Sequence, residues 1–294
     1  MWILVTLFAA GFQTSRTALQ HRLRGLLSVS GAGFVRYAYG APLSALAVIT
    51  ALASGVHFPH LEARFWPLIA GAGIAQILAT MFLIRAFDVG SFAIGTVYSK
   101  TEVVQVAIFS WIFLGEALKP FGWVAIVVCL VGIVLMASRG QRLTRASLTN
   151  RAGLYGLAAG GLFGLAAVGI RAASKSLSDS PKVMIAIVSL AAMNTIQLVV
   201  HGSYLALRER QQINLTFKYW RSSAIVGVLS VCGSACWAMA FVLQNAARVR
   251  TFGQIELLFT FVISRVWLHE HHTRNEVLAS GLVLAGVIGV MVLG

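Results

Sequence analysis

Long apolar runs recur along the chain, broken by short polar segments, and this alternation sets the expected elements. Ten runs are read: Met1–Leu19, Ser30–Ala53, Phe65–Ile84, Ser91–Leu114, Phe121–Ser138, Ala152–Arg171, Val183–Leu207, Ser222–Leu243, Phe252–Leu268 and Glu276–Leu293. About 20 residues at roughly 1.5 Å rise cross about 30 Å of hydrocarbon, which is the length these runs offer. They are continuous rather than alternating, so the spans are helices, which satisfy their own backbone groups in lipid, and not the shorter strands of a barrel. The expectation is an all-α polytopic membrane protein with ten transmembrane helices. Met1–Ala10 lacks the basic start of a signal peptide and runs on into Gly11–Leu19, so it reads as the first helix and not as a cleaved leader.

The pattern also repeats. Aligning Gly115-Glu116 with His269-Glu270 fixes an offset of 154 residues (270 − 116), and the same offset pairs Glu102 with Glu256, Gly73 with Gly227, Ala86-Phe87 with Ala240-Phe241, and Gly132 with Gly286. The most polar break, Arg139 through Arg151, divides the chain into a first five-helix repeat (1–138), a basic linker (139–151) and a second five-helix repeat (152–294). Five is odd, so the two repeats have opposite orientations in the membrane. Secondary transporters are often built from such inverted repeats, with sites near the midplane between them.

Composition changes the picture little. The chain is 58% hydrophobic and 11% charged, with mean hydropathy +0.83, against about a quarter charged in soluble domains. Its net charge of +14 does not point to nucleic acid, because the Lys and Arg residues stand singly or in small groups at span ends, where they snorkel or meet anionic headgroups. Cys129, Cys232 and Cys236 fall inside apolar spans and read as small buried hydrophobes, not as a disulfide or metal framework. The loops after spans one, three, five, seven and nine carry Arg22, Arg24, the Arg139–Arg151 cluster, Arg208, Arg210, Lys218 and Arg221. By the positive-inside rule they are cytoplasmic and both termini lie outside.

Chemistry is concentrated in the acids that interrupt apolar runs. A carboxylate near the bilayer centre costs about 2.5–3.5 kcal/mol on insertion scales, and the chain places one at matching positions twice. At about 100° per residue, Tyr98, Glu102, Gln105 and Phe109 form one stripe on span four; the equivalent stripe on span nine is Phe252, Glu256, Phe259 and Ile263. Glu102, beside Gln105 and Tyr98, is therefore the candidate contact for a polar or cationic substrate group, and Glu256, in drier surroundings, the candidate proton carrier. Each acid could instead be an interhelical hydrogen-bond partner.

Other polar residues in the spans are weighed in the same way. Lys100 lies about 200° around the helix from Glu102 and needs another partner; Arg36 is one possible partner for Glu102 or an interfacial anchor. Gln76 and Thr80 share a face of span three, with Ser230 and Ser234 matching them in span eight; they line a cavity or make helix contacts. Arg16 and Arg171 end the first spans of the two repeats. Glu116 and Glu270 stand at turns, where capping or local pairing is their expected role. The His269-Glu-His-His run lacks a histidine at position 273, so it is not the zinc-protease pattern. Gly156, Gly160 and Gly164, and Gly281, Ala285 and Gly289, allow close helix packing. No metal site and no cofactor is expected.

Ten spans in two repeats, with Gly95-Thr-Val-Tyr-Ser-Lys-Thr-Glu, then Phe-Leu-Gly-Glu-Ala-Leu closing span four, Gly-Trp and Gly-Ile-Val-Leu in span five, and a weaker copy near the C-terminus, resemble the drug/metabolite transporter superfamily, EamA type. His269-Glu270 is the degraded copy of Gly115-Glu116 and lacks the glycine. The resemblance implies a secondary transporter working by alternating access, many relatives being exporters of amino acids, other metabolites or drugs, several by proton exchange. It implies a central cavity walled by spans three, four, eight and nine with one and six, and termini on the cytoplasmic side, opposite to the charge count. Substrate-binding candidates are then Tyr98, Glu102, Gln105, Gln76, Thr80, Lys100 and Arg36, and proton-coupling candidates Glu256 and Glu102. The expected setting is the bacterial inner membrane, with the bilayer, a small solute and protons as partners, no nucleic acid, and either a monomer or a homodimer. A non-transporting scaffold, a lipid flippase-like subunit and an intramembrane enzyme using the two acids are the readings from other classes.

Overall fold

The computed structural model describes residues 1–23, 26–89, 92–138, 151–259 and 274–293. In chain order they form α1 (Trp2–Leu23), α2 (Val29–Ala53), β1 (His60–Leu61), α3 (Phe65–Val89), α4 (Phe92–Ser99), α5 (Glu102–Leu114), α6 (Pro120–Ser138), α7 (Arg151–Lys175), β2 (Leu177–Ser178), α8 (Lys182–Arg208), α9 (Arg210–Lys218), α10 (Trp220–Leu243), α11 (Ala246–Gly253), a helical segment at 255–259, and α12 (Arg274–Leu293). Six stretches among them, within α2, α3, Val97–Leu114, α7, α8 and α10, are long and apolar enough to cross a membrane, and Pro120–Met136 and Val277–Val292 are shorter apolar helices. Large apolar side chains such as Leu46, Ile49, Ile112, Phe113, Val127, Val199 and Ile225 point outward and are exposed. Water would oppose such a surface, whereas hydrocarbon accepts it. This is an all-α membrane protein; its strand content among the described residues is one two-residue antiparallel pairing, His60 with Ser178 and Leu61 with Leu177.

Three elements depart from the expected layout. Span four is not one continuous helix but α4 and α5, parted at Lys100 and Thr101. The ninth span begins at Ala246 rather than Phe252 and is parted at Gln254. Between spans seven and eight lies the extra helix α9, too polar to appear as a span. The Arg139–Asn150 part of the linker and most of the expected ninth span beyond Phe259 lie outside the described residues.

The residues group into two compact units, Met1–Ile74 with Gly169–Leu243, and Ala75–Val168 with Gln244–Gly294. Neither unit coincides with a repeat, and each takes elements from both. Inside each, contacts between repeat-equivalent positions are reciprocal. In the first unit, Gly73 packs on Met193, and Gly227 packs on Tyr39, the position 154 residues before Met193. Gly40 meets Asn194, its own equivalent. In the second, a Cβ placed on Gly132 would stand 2.6 Å from the Val283 backbone nitrogen, and one on Gly286 would stand 2.5 Å from the nitrogen of Cys129, the equivalent of Val283. Contacts in which i meets j and j meets i are the product of a two-fold relation between the partners.

Helix ends near these seams are closed by backbone chemistry. α5 ends at Gly115, whose φ of 65° is the left-handed conformation that favours glycine. The Gly115 N–H then donates to the Trp111 carbonyl at 3.1 Å and the Glu116 N–H to the Ser110 carbonyl at 3.1 Å. That pattern satisfies two carbonyls that would otherwise be orphaned. The Glu116 carbonyl accepts from Asn245 Nδ2 at 3.1 Å, while Asn245 Oδ1 accepts from the Ala247 N–H at 2.7 Å and so caps α11. The Gly-Glu step is therefore structural through its backbone.

The α6–α12 seam gives a direct test of the packing. Gly286→Ala drives a methyl into the Cys129 backbone and should cost about 1–3 kcal/mol, the usual range for overpacking. Gly281, on the same helix, has open space where its Cβ would stand, so Gly281→Ala should be neutral or slightly stabilising. Thermal unfolding of the purified variants in detergent checks both.

Candidate functional site

The interruptions in spans four and nine are repeat-equivalent to the residue. α4 and α11 start 154 residues apart (246 − 92) and end 154 residues apart (253 − 99). In each, one turn tightens from i→i+4 to i→i+3 bonding: the Thr101 N–H donates to the Tyr98 carbonyl at 3.3 Å, and the Gln254 N–H to the Thr251 carbonyl at 3.1 Å. Such a mid-helix turn ends one helix and starts a new one inside the span. Glu102 is the first residue of α5 and Glu256 lies at the start of the 255–259 segment, so each carboxylate faces the positive end of a helix dipole.

Both acids are also paired, and each with a base from the other repeat. Glu102 Oε1 lies 2.9 Å from Arg250 Nε, with side-chain exposures of 8% and 16%. Lys100 Nζ donates to Glu256 Oε1 at 2.6 Å, with exposures of 18% and 16%. Lys100 thus finds the partner that its angle to Glu102 demands. Arg36, the candidate partner for Glu102, instead holds its guanidinium 5.5 Å from the centre of the adjacent Tyr37 ring. Apolar length starts span nine at Phe252 and leaves Arg250 outside it; counting the span from Asn245, a good N-cap residue, puts Arg250 inside it.

The stripe on span four meets the glycine row of α7. Cβ atoms built on Gly156, Gly160, Gly161 and Gly164 would approach, respectively, Tyr98 Cβ, the Ser99 carbonyl and Glu102 nitrogen, Gln105 Oε1, and the Phe109 ring. Two separate features of the sequence, one polar and one of small residues, are the two sides of one contact. Gln105 Nε2 donates to Thr101 Oγ1 at 2.8 Å and to the Leu157 carbonyl at 3.4 Å, which fixes the side chain against α7. Tyr98 is buried, and Phe82 stacks on Tyr155 nearby in sequence to this row.

The remaining candidates have these places. Thr80 Oγ1 donates to the Gln76 carbonyl one turn back at 3.0 Å, and both residues are half-buried on α3. Ser230 is buried and Ser234 half-buried on α10. Arg16 is half-buried on α1. Arg171 Nη1 donates to the Phe241 and Val242 carbonyls at 2.6 and 3.1 Å, capping the end of α10, a fixed bond rather than a chain free to snorkel. Glu270 and the His269–His272 run lie outside the described residues. The three cysteines are free thiols, Cys129 buried and Cys232 and Cys236 half-buried.

Comparison with known proteins places this arrangement. The model of the EamA-like transporter family matches residues 1–138 and 150–292. The chain belongs to the EamA-like transporter family. It therefore carries two EamA repeats, in a family of transporters and not of enzymes. Over 78 residues this EamA chain is 31% identical to a protein of Sinorhizobium sp. described as an uncharacterized transporter in the cobO 3' region, a match covering 26% of the chain. The chain spans about half of that relative's length, 55%. A solved crystal structure, 14% identical, covers 99% of this chain and 96% of its own with a TM-score of 0.74, which shows a shared fold.

The ion pairs predict their own energetics. Removing one partner of a buried pair leaves an uncompensated charge in low dielectric, a loss of about 3–5 kcal/mol. Lys100→Met and Arg250→Met should each destabilise the protein by that order, while Lys100→Met combined with Glu256→Leu should recover most of the loss. Equilibrium unfolding in mixed micelles measures all three, and equal destabilisation of the single and double variants would contradict the pairing.

Proposed function

We propose that the protein is a secondary active transporter that exports small amphoteric metabolites, amino acids or related compounds, across a bacterial cell membrane by alternating access in exchange for protons. The observation that carries this reading is the pair of crossed ion pairs at the helix interruptions. A solute bearing both an ammonium and a carboxylate offers Glu102 and Arg250 replacements for each other, so it can enter without leaving either charge uncompensated. A solute with one charge, or none, cannot.

The two pairs support different roles. Arg250 stays charged at any working pH, so the Glu102–Arg250 pair opens only to another ionic partner. The Lys100–Glu256 pair joins an amine to a carboxylate, side-chain types that serve as proton relays in membrane proteins, whereas a guanidinium does not. Glu256 is accordingly assigned the proton and Glu102 the cargo. Tyr98 and Gln105 shape the cargo site from the same stripe, with Gln76 and Thr80 of α3 as further candidates. The Sinorhizobium match favours a bacterial membrane.

Flux of a panel of labelled amino acids through proteoliposomes, with and without an imposed pH gradient, tests the reading. Glu256→Gln should retain exchange of cargo but lose its acceleration by the gradient, and Glu102→Gln should lose cargo flux by about tenfold or more, as for loss of a charge-assisted contact. Unchanged coupling in both variants refutes the carboxylate mechanism. Loss of gradient dependence in Glu102→Gln alone reverses the assignment.

A further inference from the structure

Between α8 and α10 the chain does not pass directly from one span to the next but lays down α9, a two-faced helix whose inner side is fully engaged. Thr216 is buried, and Leu215 packs on the cluster of Leu27, Ala32, Val35 and Val226. Gln212 Oε1 accepts from the Ser28 N–H at 2.8 Å, and the Glu209 carboxylate accepts from Ser28 Oγ at 2.6 Å, both at the start of α2. Tyr39 OH donates to the Thr216 carbonyl at 3.5 Å. Glu209 is the one acid between Arg208 and Arg221, and it is turned inward.

The outer side is different in kind. Arg210, Asn214, Phe217 and Lys218 fall within one arc of the helix, opposite Gln212, Leu215 and Thr216, and all four are exposed. Arg208 and Arg221 flank the helix and are exposed as well, as are Leu207 and Trp220 at its two ends. Arg221 lies 5.7 Å from the Trp220 ring centre and Lys218 5.9 Å from that of Tyr219, so each cation stands beside an aromatic ring. Aromatic side chains of this kind settle at the headgroup level of a bilayer. Basic residues beside them attract anionic lipids, and an exposed apolar residue between them seeks the acyl boundary.

We infer that the outer face of α9, with Arg208, Arg210, Lys218 and Arg221 around Phe217 and Trp220, is a binding surface for anionic phospholipid headgroups. Two exposed cations on this face and two at its ends, with the one acid between them turned inward, supply the charge complementarity, and Phe217 with Trp220 supplies the insertion that a free anion would not use. The same short helix bonds the Ser28 cap of α2 on its inner side, which fixes its outer side in place for the lipid.

Native mass spectrometry and thermal unfolding of the full chain in detergent, with phosphatidylglycerol or phosphatidylcholine added, test this. The wild type should retain phosphatidylglycerol in preference and gain stability from it, and 0.5 M salt should weaken both effects. Substituting Gln for Arg208, Arg210, Lys218 and Arg221 together should weaken phosphatidylglycerol retention by about tenfold or more. Arg64→Gln with Lys182→Gln, exposed cations away from α9, should change it little. Should the fourfold variant not fold, Arg210→Gln with Lys218→Gln carries the same expectation at smaller size. An unchanged lipid preference in the α9 variants, an equal loss in the Arg64 and Lys182 variant, or stabilisation by inorganic phosphate equal to that by phosphatidylglycerol overturns the inference.

Discussion

Inside a bilayer no charge can borrow its counter-charge from water, and this constraint organises the second unit of the protein. Two carboxylates at matching positions must each be neutralised by the chain itself, within a few ångströms. The interrupted helices answer that demand twice, with dipole ends facing the acids and a base reaching across from the other repeat. Where a continuous helix would have kept Lys100 and Glu102 on different sides with no common partner, the turn at Lys100 and Thr101 lets two segments share four charges.

The same repeats that place the acids also place the close contacts. Gly132 with Val283 and Gly286 with Cys129, like Gly73 with Met193 and Gly227 with Tyr39, are exchanged copies of one contact. Glycine at these points removes the side chain that would hold two backbones apart, and in lipid such intimacy replaces the hydrophobic drive that water supplies elsewhere. The row from Gly156 to Gly164 does the same for the stripe on α4 and α5, so polar side chains and small residues that look unrelated along the chain belong to one surface.

Much of this was legible in the sequence. Apolar length gave the helices, and the single offset that pairs Glu102 with Glu256 is also the one that relates the two helix interruptions, because an internal repeat preserves backbone geometry as well as side chains; the interruptions themselves were not legible. The pairing partners were not legible. Hydropathy started span nine at Phe252 and so set Arg250 outside it, since an arginine lowers the average of any window that contains it even when its charge is cancelled by a residue far away in the chain. The interruption at Lys100 was hidden for a related reason: Lys100 and Thr101 are acceptable helix residues with no proline or glycine beside them, and in the other copy Gly253 alone precedes the turn at Gln254. α9 was missed because its outer face is basic, which reads as a loop when periodicity is not followed across Arg208–Arg221.

The acids are repeated but the bases are not. Position 96, the equivalent of Arg250, is threonine, and position 254, the equivalent of Lys100, is glutamine. In a molecule made of two interchangeable halves, swapping the conformations of the halves converts one state into another of equal energy, so the two states are populated alike. Here the swap would carry guanidinium and ammonium into unlike surroundings. Together with the other positions at which the halves differ, such as Gln105 and Phe259, these two side chains make the halves unequal, so a swap of their conformations would join states of different energy.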